Sequence, residues 1–354
     1  MKASLKEFHP ARILIRSTNW IGDAIMTTPA VRTIRENFPA AEITMLAQPW
    51  MADVFRASPH VDKIIFYEKK GVHGGLSGML RLSRTLQRMR FDMAILLQNA
   101  FEAALLARMA GIPVRAGYKR DGRSLLLTHG VRIRDEIRGK HQVHYYQALL
   151  RDLGLTRGPD ELCLRLADED LHFARRFRQG LAGGGPVIGL NPGAAYGPAK
   201  CWPAARYGEL AERLHRRNRA TFMVFGTAAD QQTIDTITAH GPGFIRGLAG
   251  KTTLAQAMAL ISVCDAFVTN DSGLMHVGAA TGTPLVAIFG STDAVATGPF
   301  SDRAVVLQKE LGCRPCLKKE CKADFRCMLD ISVEEVEQAV QKLLGEYEAC
   351  GFSG

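Results

Sequence analysis

The stretch VTNDSGLMHVGAATGTPLVAIFG, residues 268–290, decides the fold. An apolar run, Ala266–Thr269, turns through Asn270-Asp271-Ser272-Gly273 and continues into a short series of small residues that carries His276. Gly282-Thr283-Pro284 breaks that series, and a second apolar run, Leu285–Phe289, follows. Strand, polar corner, helix and strand in this order make a parallel α/β unit. In an open parallel sheet, ligands sit at the carboxyl ends of the strands, and residues 270–276 occupy such an end. The helix that starts there offers unpaired N–H groups and the positive end of its dipole. Asp271 and Ser272 are candidate caps, and Gly273 lets the backbone approach a phosphate. Gly278, Ala279 and Ala280 let the helix lie close on its sheet, at a cost of about 1 kcal/mol for the mid-helix glycine. Two readings stand: a corner that binds phosphate or sugar, or a well-capped helix with a solvated histidine in its second turn.

Outward from this unit the alternation continues. Before it come expected strands Val187–Leu190 and Thr221–Phe225 and expected helices Ala204–Asn218, Asp230–Ala239 and Leu254–Cys264. The first half repeats the order: strand Arg12–Arg16, helix Asp23–Asn37, strands Glu42–Ala47 and Lys63–Tyr67, helix Leu76–Met89, strand Asp92–Leu97. A Gly/Pro break at Gly180–Pro186 (GLAGGGP) reads as a linker between two Rossmann-like α/β domains with parallel sheets, 1–180 and 186–331, expected to face each other across a cleft. Ser332-x-x-Glu335 matches a capping box, so 332–354 reads as a terminal helix, expected to join the first domain.

Composition limits the function classes. The chain has 354 residues, 47% of them hydrophobic, which is the balance of a globular protein and not of a disordered one. No apolar run approaches the roughly 20 residues that span a bilayer, and the first residues lack a signal-peptide core. The expected location is cytoplasmic. The net charge of +10 lies entirely in residues 1–177, with 28 Lys/Arg against 18 Asp/Glu, while the remainder is balanced. That asymmetry points to an anionic partner for the first half: nucleic acid, a lipid surface or a phosphorylated substrate.

Two further strand-end motifs carry chemistry. In GLNPGAAYGPAKCWP, residues 189–203, a glycine-bearing loop holds a lone cation, Lys200, positioned to neutralise a diphosphate leaving group or simply solvated. In STNWIGDAIMTTPAVRTIRENFP, residues 17–39, Asp23 stands at a helix start, either as an N-cap or as a group that takes a proton from an attacking hydroxyl. Neither the P-loop pattern nor G-x-G-x-x-G follows the first strand, which disfavours NTPase and standard dinucleotide readings.

Taken together, these motifs resemble the two-domain GT-B glycosyltransferases, and more narrowly the heptosyltransferase family (glycosyltransferase family 9) that builds the inner core of lipopolysaccharide. The resemblance spans nearly the whole chain, with the three motifs in family order and at family spacing. It implies an ADP-heptose donor and a strongly anionic acceptor, heptosyl-Kdo2-lipid A, in the cell envelope of a Gram-negative organism. Inverting displacement would proceed without a covalent intermediate, a cofactor or an essential metal. Asp23 then matches the general base, and Lys200 the ligand of the donor diphosphate. Asp271, Ser272, Gly273 and His276 match the donor loop. Asp230, in FGTAADQQ, matches an acidic position that holds the donor ribose, although its local pattern is also that of an N-cap. Arginine clusters at Arg81–Arg90, Arg115–Arg123 and Arg132–Lys140 would meet acceptor phosphates and the cytoplasmic face of the inner membrane, giving peripheral association without insertion.

Cys313, Cys316, Cys321 and Cys327 are spaced C-x2-C-x4-C-x5-C, which leaves open a structural metal or a compact loop of thiols. Two rival functions are weighed against heptosyl transfer: another nucleotide-sugar enzyme on this fold (a different heptosyltransferase type or an epimerase), and a nucleic-acid-binding protein. No recognisable nucleic-acid module supports the latter, so no nucleic-acid partner is expected.

Overall fold

The computed structural model describes residues 4–181 and 183–349, with the side chains of 346–349 excepted. The chain divides into two compact units, Met1–Arg165 and Leu166–Gly354. The first holds β1 (Arg12–Arg16), β2 (Glu42–Ala47), β3 (Lys63–Phe66), β4 (Met93–Leu96), β5 (Val114–Tyr118) and β6 (His129–Val131). These pair in the order β3-β2-β1-β4-β5-β6, every pair parallel. The second holds β7 (Val187–Asn191), β8 (Thr221–Val224), β9 (Ile245–Gly247), β10 (Ala266–Asn270), β11 (Leu285–Phe289) and β12 (Ala304–Gln308). Their order is β12-β11-β10-β7-β8-β9, again all parallel. Counted from each unit's first strand, both sheets run 3-2-1-4-5-6, the doubly wound order that puts a switch point between the first and fourth strands.

The central strands are buried on both faces, as a parallel sheet between helix layers requires. The expected helix 23–37 is two helices, Ile21–Met26 and Thr28–Asn37. Pro29 has no N–H for the carbonyl of Ile25, and the Thr28 hydroxyl donates to that carbonyl instead, at 2.7 Å.

Domain organisation differs from the sequence reading in two places. The break at 180–186 is not a linker. The helix Asp168–Gln179 packs on the helix Leu254–Ser262. Arg178 Nη2 donates to both carboxylate oxygens of Asp265 at 2.9 Å, and Asp265 also accepts from the Val187 N–H at 2.7 Å. The glycines serve close approach: a Cβ on Gly185 would lie 2.3 Å from the Asn218 carbonyl oxygen. Ala182 within that stretch lies outside the described residues.

The terminal helix Val333–Ala349 belongs to the second unit, where Val336, Val340 and Leu343 share a core with Trp202, Tyr207 and Leu214. Its start is the expected capping box, Ser332 N–H to Glu335 Oε2 at 2.8 Å and Glu335 N–H to Ser332 Oγ at 3.2 Å. Residues 350–354 of the expected helix lie outside the described residues.

Trp202 is 1% exposed and donates its indole N–H to the carbonyl of Ile331 at 2.9 Å. Trp202→Ala is expected to cost the second unit about 3–5 kcal/mol, measured by urea unfolding followed by circular dichroism.

Candidate functional site

The switch point of the second sheet lies between the carboxyl ends of β7 and β10, and both strands end in a buried asparagine. Asn191 donates to Thr269 Oγ1 at 2.9 Å and to Ser272 Oγ at 2.7 Å. Asn270 donates to the Pro192 carbonyl at 2.6 Å, and its Oδ1 accepts from the Trp202 N–H and the Tyr207 hydroxyl, each at 3.1 Å. The two amides lock the strand ends together and fix the directions in which the next loops leave.

Those loops bring Lys200 and Asp271 together. Lys200 Nζ lies 2.5 Å from Asp271 Oδ2, with side chains 12% and 5% exposed. The same carboxylate oxygen accepts from Thr292 Oγ1 at 2.5 Å, and the ammonium lies 4.8 Å from the Tyr196 ring centroid. An ammonium has three donors, so the pairing leaves others for a ligand. Little water reaches the pair, and its electrostatic reach toward an anion is correspondingly greater than that of a surface lysine. Ser272 is the N-cap of the helix Gly273–Thr281, accepting from the Met275 N–H. Asp271, also expected as a cap, is instead Lys200's partner. The small residues act as expected: a Cβ on Gly278 would lie 3.1 Å from the Phe267 ring. His276 stands at the fourth position of this helix and is buried.

Asp230 arrives from the loop after β8. Its Oδ2 accepts from the N–H and hydroxyl of Thr227, each at 2.8 Å, completing a capping box. It also borders Gly193, where an added Cβ would lie 3.2 Å from Asp230 Oδ1. Gly193, Asp230, Cys201 and Cys321 help line a cavity of about 710 Å³.

The cysteine-bearing segment buttresses this cradle. Leu317 O accepts from the Tyr196 hydroxyl at 2.6 Å, and Lys319 O accepts from the Ala199 N–H at 3.0 Å. Arg314 donates to the carbonyls of Gly290 at 2.6 Å and Thr292 at 3.2 Å. Cys313, Cys316, Cys321 and Cys327 are free thiols. Among the described residues, no three His, Cys, Asp or Glu side chains are arranged to hold a metal. Burial, then the charge of Cys321, pushes the Cys327 thiol upward.

In the first unit, Asp23 is half-buried at the third position of the helix Ile21–Met26, after an N-cap at Trp20. A carboxylate there suits the helix dipole. Burial first, and then the charge of Asp23, hold the Tyr146 phenol well above its usual range. Close by in sequence, Arg16 ends β1 buried at 2% exposure, with Nη1 on the carbonyls of Ser17 (2.7 Å) and Leu46 (3.2 Å). Its guanidinium carbon lies 5.1 Å from the Tyr67 ring centroid, and burial pushes its pKa down to about 10. Sequence reasoning passed over Arg16, Asn270, Thr292 and Arg314. Arg16 was legible as a charged residue closing an apolar strand.

Two doubly wound α/β units, one with a desolvated lysine–aspartate pair at its switch point, define a glycosyltransferase of the GT-B class. The chain belongs to glycosyltransferase family 9 (heptosyltransferase), whose model matches residues 79–325. It is 34% identical over 351 residues to lipopolysaccharide heptosyltransferase 2 of Escherichia coli, covering 96% of this chain and all of that one. Among solved structures, the E. coli ADP-heptose lipopolysaccharide heptosyltransferase II is 32% identical, with a TM-score of 0.81 over 95% of this chain and 99% of that one. A glycosyl transferase family 9 protein of Veillonella parvula is 27% identical, with a TM-score of 0.85 over 95% and 98%.

Asn270→Asp keeps the side-chain volume but turns the donor facing Pro192 O into an acceptor and buries a charge. A loss of about 2–5 kcal/mol is expected, read as a lowered urea midpoint for the second unit.

Proposed function

We propose that this protein transfers heptose from ADP-heptose to the first heptose of the lipopolysaccharide inner core, heptosyl-Kdo2-lipid A. The observation that carries the reading is the buried Lys200–Asp271 pair at the β7/β10 switch point, in a chain similar over 96% of its length to a protein named lipopolysaccharide heptosyltransferase 2. The second unit takes the donor. Lys200 meets the diphosphate, with Ser272, Gly273 and His276 around it, and Asp271 orients the ammonium through the 2.5 Å bond. Asp230 holds the donor ribose from the cavity side.

Chemically, the bond from the anomeric carbon to the diphosphate oxygen breaks as the acceptor hydroxyl oxygen bonds to that carbon from the opposite face. Configuration inverts. The electron pair leaves on ADP, where Lys200 offsets the growing charge. The hydroxyl proton goes to the carboxylate of Asp23. No metal takes part in this sequence of events. The first unit receives the anionic acceptor, and its surplus of cations, 26 Lys/Arg against 15 Asp/Glu, supports peripheral association with the inner membrane's cytoplasmic face.

The test is ADP release from ADP-heptose with and without heptosyl-Kdo2-lipid A; the reading requires release only with the acceptor. Asp23→Asn should lower turnover by about 10²–10⁴-fold, the usual worth of a general base, with ADP-heptose affinity held within a few fold. Near-normal turnover in that variant would remove Asp23 from the role.

A further inference from the structure

Exposed large apolar side chains are concentrated in the first unit, and topology explains where. Its six strands are all parallel, so their carboxyl ends share one edge of the sheet. After β1 comes Trp20 (58% exposed), after β2 Trp50 (49%), after β3 Val72 (51%) and Leu76 (77%), after β4 Phe101 (47%), and after β5 Leu125 (96%). Five successive strand-end connections each present at least one large apolar side chain to water. A soluble surface has no use for such a series, and scattered single exposures do not align this way.

The connections form one continuous rim. Gln48 donates to Asn19 Oδ1 at 2.8 Å, joining the loops after β2 and β1. Arg16 lies over Tyr67, joining β1 to the loop after β3. Tyr67 and Lys69 both bond to Glu102, in the helix after β4. A Cβ on Gly122, in the loop after β5, would lie 3.9 Å from the Phe101 ring.

Cations outnumber carboxylates on this rim, where Glu68, Glu102 and Asp121 are the acidic residues beside Lys69, Lys70, Arg81, Arg84, Lys119 and Arg120. Residues 69–90 contain six Lys/Arg and no Asp or Glu. The helix Gly75–Arg88 buries Leu82 and Leu86 in the core while Leu76 and Leu80 face water beside exposed Arg81 and Arg84. Lys119 and Arg120 stand exposed in the β5 loop, just before Leu125. Apolar tips set among cations fit one class of partner, a bilayer surface with anionic headgroups: the cations meet the headgroups and the tips enter the acyl boundary. No helix among the described residues is long and apolar enough to cross a membrane, so the contact is a surface one.

We infer that the strand-end rim of the first unit, carrying Leu76, Trp50, Trp20, Phe101 and Leu125 after successive strands of the sheet, is a lipid-docking face that seats the enzyme on an anionic bilayer. The inference rests on the surface association proposed above and names where it occurs. The rim lies at the same end of the sheet as the helix that carries Asp23, so docking would present that end to a substrate anchored in the bilayer.

Co-sedimentation with vesicles of phosphatidylethanolamine and phosphatidylglycerol, against vesicles of phosphatidylcholine alone, is the experiment. The full chain should partition onto the anionic vesicles, and brominated lipid should quench fluorescence from the exposed Trp20 and Trp50. Leu76→Asp combined with Leu125→Asp, at two strongly exposed positions, should lower partitioning at least tenfold. Turnover on a deacylated, water-soluble acceptor should be unchanged. If the unaltered chain ignores anionic vesicles, the surface-association reading falls and this face with it. If the chain binds but the double variant binds equally well, association stands and this face is wrong. An equal loss of turnover on the soluble acceptor, or a change in oligomeric mass with vesicle binding intact, would also overturn the inference, the latter in favour of a contact between copies.

Discussion

Everything at the switch point of the second unit depends on the buried side chain of Asn270. One amide satisfies a carbonyl of the neighbouring strand's loop (Pro192), a backbone N–H (Trp202) and a phenol (Tyr207), all away from solvent. An apolar residue there would leave the Pro192 carbonyl and the Trp202 N–H without this partner, at about 1–3 kcal/mol each, while the Tyr207 hydroxyl would keep the Asn191 carbonyl at 3.3 Å. Because the amide is satisfied on both its ends, the loop that ends at Lys200 and the corner that begins at Asp271 can leave their strands in only one relative direction. Residues 71 positions apart in the chain then meet at 2.5 Å.

The resulting ion pair is not a stability device. Burying two charges costs several kcal/mol of solvation, which their attraction returns only in part. A well-packed apolar pair would hold the loops at least as well. The pair is instead a poised charge: an ammonium held in a defined place with donors to spare, kept from water by Tyr196, Thr292 and the cysteine-bearing segment. The segment that carries the four cysteines lies in the fold as a strap. Arg314 and the backbone of Leu317 and Lys319 do the holding through carbonyl and amide bonds.

Legibility in the sequence followed the strength of local signals. β1, β2 and β11 are continuous apolar runs bounded by polar or glycine residues, and their limits can be read directly. β5 escaped because VRAGY puts an arginine in a buried strand. That residue is tolerated because Arg115 gives its donors to the carbonyls of Ile112 (2.5 Å), three residues back, and of Leu126 (2.7 Å), a partner that only the fold supplies. β9 is too short, at three residues, to show periodicity. Charged residues announced themselves: Asp271 directly follows β10, and Lys200 and Asp23 lie in the segments that follow β7 and β1. The uncharged members, Asn270 and Thr292, did not, because an amide or hydroxyl gains meaning only from partners that the fold supplies. The glycine run at 183–185 misled for a related reason: composition cannot distinguish a flexible linker from a place where two backbones nearly touch.

The account's central claim is that Lys200, held by Asp271, reads a diphosphate. Calorimetric titration of ADP and AMP into the unaltered protein and into Lys200→Ala tests it most directly. The account predicts that ADP binds more tightly than AMP, and that Lys200→Ala removes most of that difference while leaving AMP binding nearly as it was. Equal affinities of both proteins for ADP would contradict it.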